Sequence, residues 1–153
     1  MSQRLTSFED LVAFLAKSGI PHDVDAANHA VEVKTTPPAL SAPAIVRWEQ
    51  AIPYLQIIQQ LTNRVPDDRV RDLEAALARV NDVAMLAGYQ FSYQTRVVYY
   101  RLTVPIYDGG IASDALDHAM TAVLNNAVQL EPAIAKVVAG TPGEDVLDLL
   151  VHK

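Results

Sequence analysis

The sequence predicts an α+β fold built on an antiparallel sheet, and three observations lead there. Strand-like runs come in groups, HAVEVKT, AIVRWEQ and IPYLQIIQQL first, then YQFSYQ and TRVVYYRLTVPI. Short reversals between such neighbours imply antiparallel pairing. Amphipathic helical stretches stand before, between and after the groups, so the alternation that a parallel βαβ sheet needs is absent. Finally, Arg96–Pro105, RVVYYRLTVP, is a run of β-branched and aromatic residues that belongs inside a packed sheet. The expected order is helix-strand-strand-strand-helix-strand-strand-helix, five strands packed with three helices, in a single domain spanning residues 1–153.

The first helix is SFEDLVAFLAK, Ser7 to Lys17. Ser7 suits the N-cap, and Glu9 and Asp10 fall where the helix dipole favours anions. Phe8, Leu11, Val12 and Leu15 make one apolar face, and Gly19 and Pro21 stop the helix. Val31 and Val33 alternate with Glu32 and Lys34 as in a half-buried strand. Pro37, Pro38 and Pro43 then rule out a regular element, so 36–43 reads as an exposed loop.

Ala44–Gln50 and Ile52–Leu61 form the next two strands, with a tight reversal between them. Val46 and Trp48 share one face of the first. Leu55, Ile57 and Leu61 share one face of the second, with Tyr54 and Ile58 opposite. Apolar groups on both faces place this second strand in the sheet interior.

Pro66 opens a helix, with Asp67 and Asp68 at its positive end. Val70, Leu73, Leu77, Val80 and Ala84 recur at steps of three and four along one seam, and Gly88 ends the segment. The last two strands form a hairpin turning near Gln94–Thr95. Ser113 is expected to cap the last long helix, whose apolar face carries Leu116, Met120, Val123, Leu124, Ala127 and Val128. Pro132 is expected to kink or end it. EDVLDLLVHK, after Gly140 and Pro142, has room for a last helical turn or two.

Composition limits function. A chain of 153 residues, half of them hydrophobic and 20% charged, buries a respectable core without staples. With no cysteine there is no disulfide, thiolate metal site or cysteine nucleophile. The N-terminal MSQRLTSFED lacks a signal-peptide stretch, and no run approaches the roughly 18 apolar residues of a membrane span. A cytoplasmic protein without membrane insertion is expected. A formal net charge of −6, with scattered basic residues, argues against nucleic acid as a partner.

No reaction centre emerges. HDVDAANH brings two histidines and two aspartates together, yet lacks the glycine and terminal glutamate of a calcium loop, so a polar turn is expected instead of a metal site. His118 and His152 stand apart from it. Gly109-Gly110 is a turn before a helix, not a phosphate loop. Ser113 serves better as a cap than as an anion site. Asp67 and Asp68, adjacent on a helix, point about 100° apart and do not converge. Tyr99-Tyr100 and Trp48 lack the basic groove of a base-stacking platform. No catalytic, cofactor-binding or metal-binding residue is assigned, no cofactor is expected, and the protein is not expected to be an enzyme.

VRWEQAIPYLQIIQQL, VPDDRVRDLEAALARVND with its Val65-Pro66 opening and Asn81, VVYYRLTVP followed by a glycine turn and long helix, and Pro132 in an apolar context together resemble the YbjN family. The resemblance covers about residues 5–138 and leaves out the loop at 36–43 and the tail 140–153. It implies a type III secretion chaperone-like fold, a bacterial sensory transduction regulator and no catalytic residues. Chaperones of that fold are homodimers that bind extended segments of other proteins.

Three functions follow as expectations. The first is a non-enzymatic protein-binding module with a chaperone-like or regulatory role, acting as a homodimer with a partner of unknown identity. Trp48, Tyr54 and Tyr93 are its candidate partner-binding residues, because of their bulk on strands whose second face is open. The seam Val70, Leu73, Leu77, Val80 and Ala84 has two readings: packing onto its own sheet, or pairing with its symmetry mate. The second function is a small-ligand sensor domain, which needs an apolar pocket with converging polar groups, its expected place being between the sheet and the last helix. The third, an enzyme, ranks last.

Overall fold

A computed structural model describes residues 2–35, 40–49, 51–86 and 88–151. The elements are β1 (Arg4–Leu5), α1 (Phe8–Lys17), β2 (His22–Asp25), β3 (Ala30–Val33), β4 (Ala44–Glu49), β5 (Tyr54–Arg64), α2 (Val70–Val83), β6 (Tyr89–Ser92), β7 (Val97–Pro105), β8 (Ile111–Ala112), α3 (Ser113–Ala139) and α4 (Val146–Val151). One sheet has the strand order β2-β3-β4-β5-β7-β6, and β1 pairs with β8 in a second, two-stranded sheet. Every pairing is antiparallel. The α+β class stands, and β5 lies inside the sheet as its two apolar faces require.

Several details differ from the sequence reading. The main sheet has six strands, because HDVD forms β2 instead of a polar turn. Its pairing with β3 matches Asp23 to Glu32 and Val24 to Val31. Main-chain hydrogen bonds suffice for such an edge strand, which needs no apolar alternation of its own. The small sheet has a similar origin: Leu5 is fully buried opposite Ile111. The Ser113 hydroxyl does not cap α3. Ala112 occupies that position, and the Ser113 Oγ accepts the Gln3 backbone N–H at 3.1 Å. The β1 segment takes the group that a cap would have used.

The helix expected at Pro66 begins with a 3-10 turn at Asp67–Arg69, and the α-helix proper starts at Val70. It stops at Val83, before Gly88. Asn81 turns the chain there: its Oδ1 accepts the backbone N–H groups of Gly88 and Tyr89, and its Nδ2 donates to the Tyr89 carbonyl at 2.9 Å. Gly88 is required at this point, since a Cβ would sit 2.4 Å from the Arg101 carbonyl oxygen. Pro132 does not end α3, which continues to Ala139. Leu130, Ala133, Ile134 and Val137 are buried on both sides of it, and their packing outweighs the lost hydrogen bond.

The tail is part of the fold. Arg69 Nε and Nη2 donate to the Val137 carbonyl, and Nη2 also donates to that of Thr141, satisfying acceptors at the end of α3. Gly143 lies so close to α2 that a Cβ would meet the Asp72 carbonyl oxygen at 1.7 Å. Val146 is fully buried. The core lies between the inward sheet face and the helices, with Val31, Val46, Leu55, Ile57, Val98 and Tyr100 meeting Leu73, Leu116, Val123 and Ile134. Of the loop expected at 36–43, residues 36–39 fall outside the described residues, as does His152.

Candidate functional site

Alternation along the central strands divides them cleanly. On β5, Leu55, Ile57, Gln59 and Leu61 are buried, while Gln56, Ile58 and Gln60 are half-buried and Tyr54 is exposed. Gln59 is a polar group on the inward face. Its amide donates to the Ala42 carbonyl at 2.9 Å and the Gln60 carbonyl at 3.0 Å, which makes the burial tolerable. Those bonds tie the loop before β4 to the sheet.

The outward face carries the half-buried residues that alternate with the core set on β4, β5 and β7. Register places Ile45, Ile58 and Arg101 side by side across β4, β5 and β7, and Arg47, Gln56 and Thr103 in the neighbouring row. Gln60, Tyr99 and Gln90 form a third row. Residues from these rows and the β6–β7 turn line a shallow concavity of about 520 Å³. Tyr99 is oriented by its hydroxyl, which donates to Gln90 Oε1 at 2.7 Å.

Charge is laid out unevenly across this face. Asp23, Asp25 and Glu32 lie at the β2–β3 side, where Asp23 pairs with Lys34. Asp25 Oδ2 accepts the Asn28 side-chain amide, a bond that lowers its pKa from the ordinary carboxylate value. Arg47 and Arg101 lie at the β4–β7 side. The only ion pair of Arg47 among the described residues is to Glu49, at 4.0 Å, and its buried Nε has no hydrogen-bond partner. Arg101 makes no ion pair among the described residues. In a chain of net charge −6, two under-used guanidiniums beside Ile45, Ile58 and Tyr99 make a local cationic and apolar field.

The residues singled out from the sequence do not converge. Trp48 is 8% exposed and belongs to the core, on the inward face with Val46. Tyr54 is 38% exposed at the start of β5, and Tyr93 is 62% exposed in the β6–β7 turn. Tyr54 pairs with Pro105 at one end of β7, whereas Tyr93 follows Ser92, which pairs with Val97 at the other. A separation of that many residues along a strand is about 30 Å. The Tyr93 hydroxyl donates to Glu74 and its ring meets Phe91 edge-on.

The helix seam packs within its own chain. Leu73, Leu77 and Val80 are buried, and Val70 and Ala84 are half-buried against the core. The exposed apolar groups of this region lie off the seam, at Val83, Met85 and Leu86. Sequence reasoning missed Arg47, Arg101 and the outward glutamines, and weighed Tyr99 only as part of a base-stacking platform. Their signal was present in the residues that alternate with the apolar set on β4, β5 and β7.

Polar groups elsewhere serve the fold. His22 and His118 engage the backbone carbonyls of Ile20 and Asp114 through Nδ1, each at 2.7 Å, and His29 meets the Phe8 ring edge-on. Asp67 pairs with Arg96. Among the described residues no three His, Cys, Asp or Glu side chains gather as a metal site, and no helix is long and apolar enough to cross a membrane.

A helix-roofed antiparallel sheet with one charge-patterned face defines the class: a small α+β protein. The chain belongs to the YbjN family, described as a "Putative bacterial sensory transduction regulator", whose profile matches residues 7–136. The fold is also that of the E. coli YbjN crystal structure, "a putative transcription regulator". The two share 11% identity with a TM-score of 0.68, over 88% of this chain and 96% of that one. No curated protein matches the chain.

Proposed function

We propose that this chain is a non-enzymatic, regulatory protein-binding module that receives a partner segment on its outward sheet face. The observation that carries the reading is the juxtaposition of Arg47 and Arg101 with Ile45, Ile58 and Tyr99 on strands whose other face packs on the core. Such a surface favours an extended segment carrying acidic and apolar side chains. The guanidiniums supply charge-assisted hydrogen bonds, and the glutamine rows accept varied polar groups.

The regulatory role rests on the family. The non-enzymatic reading draws support from what the candidate groups do: His22, His29, His118 and Ser113 are engaged in local structural contacts. A homodimer is part of the proposal. With the α2 seam occupied, Val83, Met85 and Leu86 are the exposed apolar groups at the end of α2, Met85 being 99% exposed. Light scattering on the pure protein tests the assembly state.

Site-specific photocrosslinking in the host cell tests the binding face. A benzophenone amino acid at Gln56 is expected to capture a discrete protein that the same probe at Lys136, on α3, does not. Adducts that are the same at both positions, or absent from position 56, would refute the assignment.

A further inference from the structure

On the opposite side of the molecule, α2, α3, α4 and β6 enclose a pocket of about 350 Å³. Its floor is Val80, Leu130 and Ala133, all buried. Leu149 and Leu150 of α4 form one wall, and Tyr89 and Gln129 contribute the polar groups. We propose that this pocket binds a small neutral molecule, an aromatic or branched aliphatic body bearing one N–H or O–H donor.

The ligand class follows from the lining. The volume lies at the small end of the range for small-molecule sites, which are mostly apolar with a few placed polar groups. The lining side chains named carry no charge at neutral pH. Tyr89 stays protonated there, because burial, and secondarily the neighbouring Tyr100, push its pKa up to about 12. A charged ligand would therefore lose its hydration with no counter-charge to replace it. The Tyr89 hydroxyl hydrogen is committed to the Asn126 carbonyl at 2.9 Å, so the phenol has only its lone pairs to offer and accepts from a ligand donor. Gln129, exposed at the rim, supplies a second acceptor.

One wall of the site lies outside the family match. The family profile ends at residue 136, whereas Leu149 and Leu150 come from the segment beyond it. Gly143 against Asp72, and Val146 in the core, hold that segment in place, so the wall exists before any ligand arrives. The inference does not depend on the outward sheet face.

Indole is a suitable probe, being neutral and apolar with a single N–H, and indane has the same shape without the donor. Titration of the full chain with indole, followed in methyl NMR spectra, is expected to give saturable shifts confined to Val80, Leu130, Leu149 and Leu150. Indane is expected to bind about three-fold or more weaker, the effect of one modest hydrogen bond. Ala133→Leu fills the floor and is expected to abolish the shifts. Leu150→Gln, at the half-buried wall, is expected to weaken binding even if the first variant fails to fold. Shifts that do not saturate, that spread over the surface, or that survive unchanged in the folded variants would overturn the site.

Discussion

The two faces of the central sheet are made by the same strands and have opposite characters. Ile57 and Ile58 are adjacent on β5, yet Ile57 is fully buried among the core side chains while Ile58 lies half-exposed between Ile45 and Arg101. Identical chemistry one residue apart thus serves folding in one case and is left free in the other. A strand's period of two makes the division sharp, and a slip of one residue would exchange the roles. The inward face carries the stability, and the outward face is left available for recognition.

The largest expected difference comes from truncating the two isoleucines. Ile57→Ala should cost about 2–5 kcal/mol in urea unfolding, the range for deleting a buried aliphatic chain. Ile58→Ala should cost less, about 1–2 kcal/mol, since the half-buried side chain gives up less covered surface and leaves no closed cavity. Next is Gln59→Leu, expected to destabilise by about 1–3 kcal/mol because the Ala42 carbonyl loses its donor in a buried setting. A neutral result would show that the inward face tolerates rearrangement and would blur the comparison.

A third effect belongs to alkaline pH. Burial raises the folded-state pKa of Tyr89 to about 12, from an ordinary value of 10.0. The neutral phenol is favoured in the fold, so its contribution to stability is whole below pH 10 and is lost as pH rises toward 12. Thermal unfolding should weaken over that window. Tyr89→Phe should be less stable at neutral pH, by about 1 kcal/mol for the bond to Asn126. It should also show a shallower alkaline decline. The smallest expected effect is that of Arg47→Glu with Arg101→Glu. Stability should change by no more than about 0.5 kcal/mol per site, as is usual at surfaces, while crosslinking from position 56 should disappear.

Much of the architecture was legible because it is written in periodicity. The β4–β5 hairpin, the β6–β7 turn and the helices at 7–17 and from 113 follow from steps of two, three and four. What escaped is what periodicity does not encode. β2 is an edge strand of HDVD held by main-chain bonds to β3, and β1 and β8 are two residues each. The end of α2 is set by the Asn81 side chain reaching forward to Gly88 and Tyr89, a tertiary contact. Trp48 shows the cost of judging by bulk: its alternation with Arg47 and Glu49, in step with Val46, already placed it inward. The open face was readable only as the complement of the core pattern. The pocket under α4 needed the tail's docking through Gly143, which no local signal announces.

The chain has no cysteine, so a single introduced thiol reports on one position. The decisive measurement is the maleimide labelling rate of Gln56→Cys in the purified protein and in the intact host cell, with Lys136→Cys as reference. The thiol at position 56 should react readily in the purified protein and be protected in the cell, while the reference reacts alike in both. Equal reactivity of position 56 in both settings, or protection already in the purified protein, would contradict an outward face that is open in the isolated chain and covered by a partner.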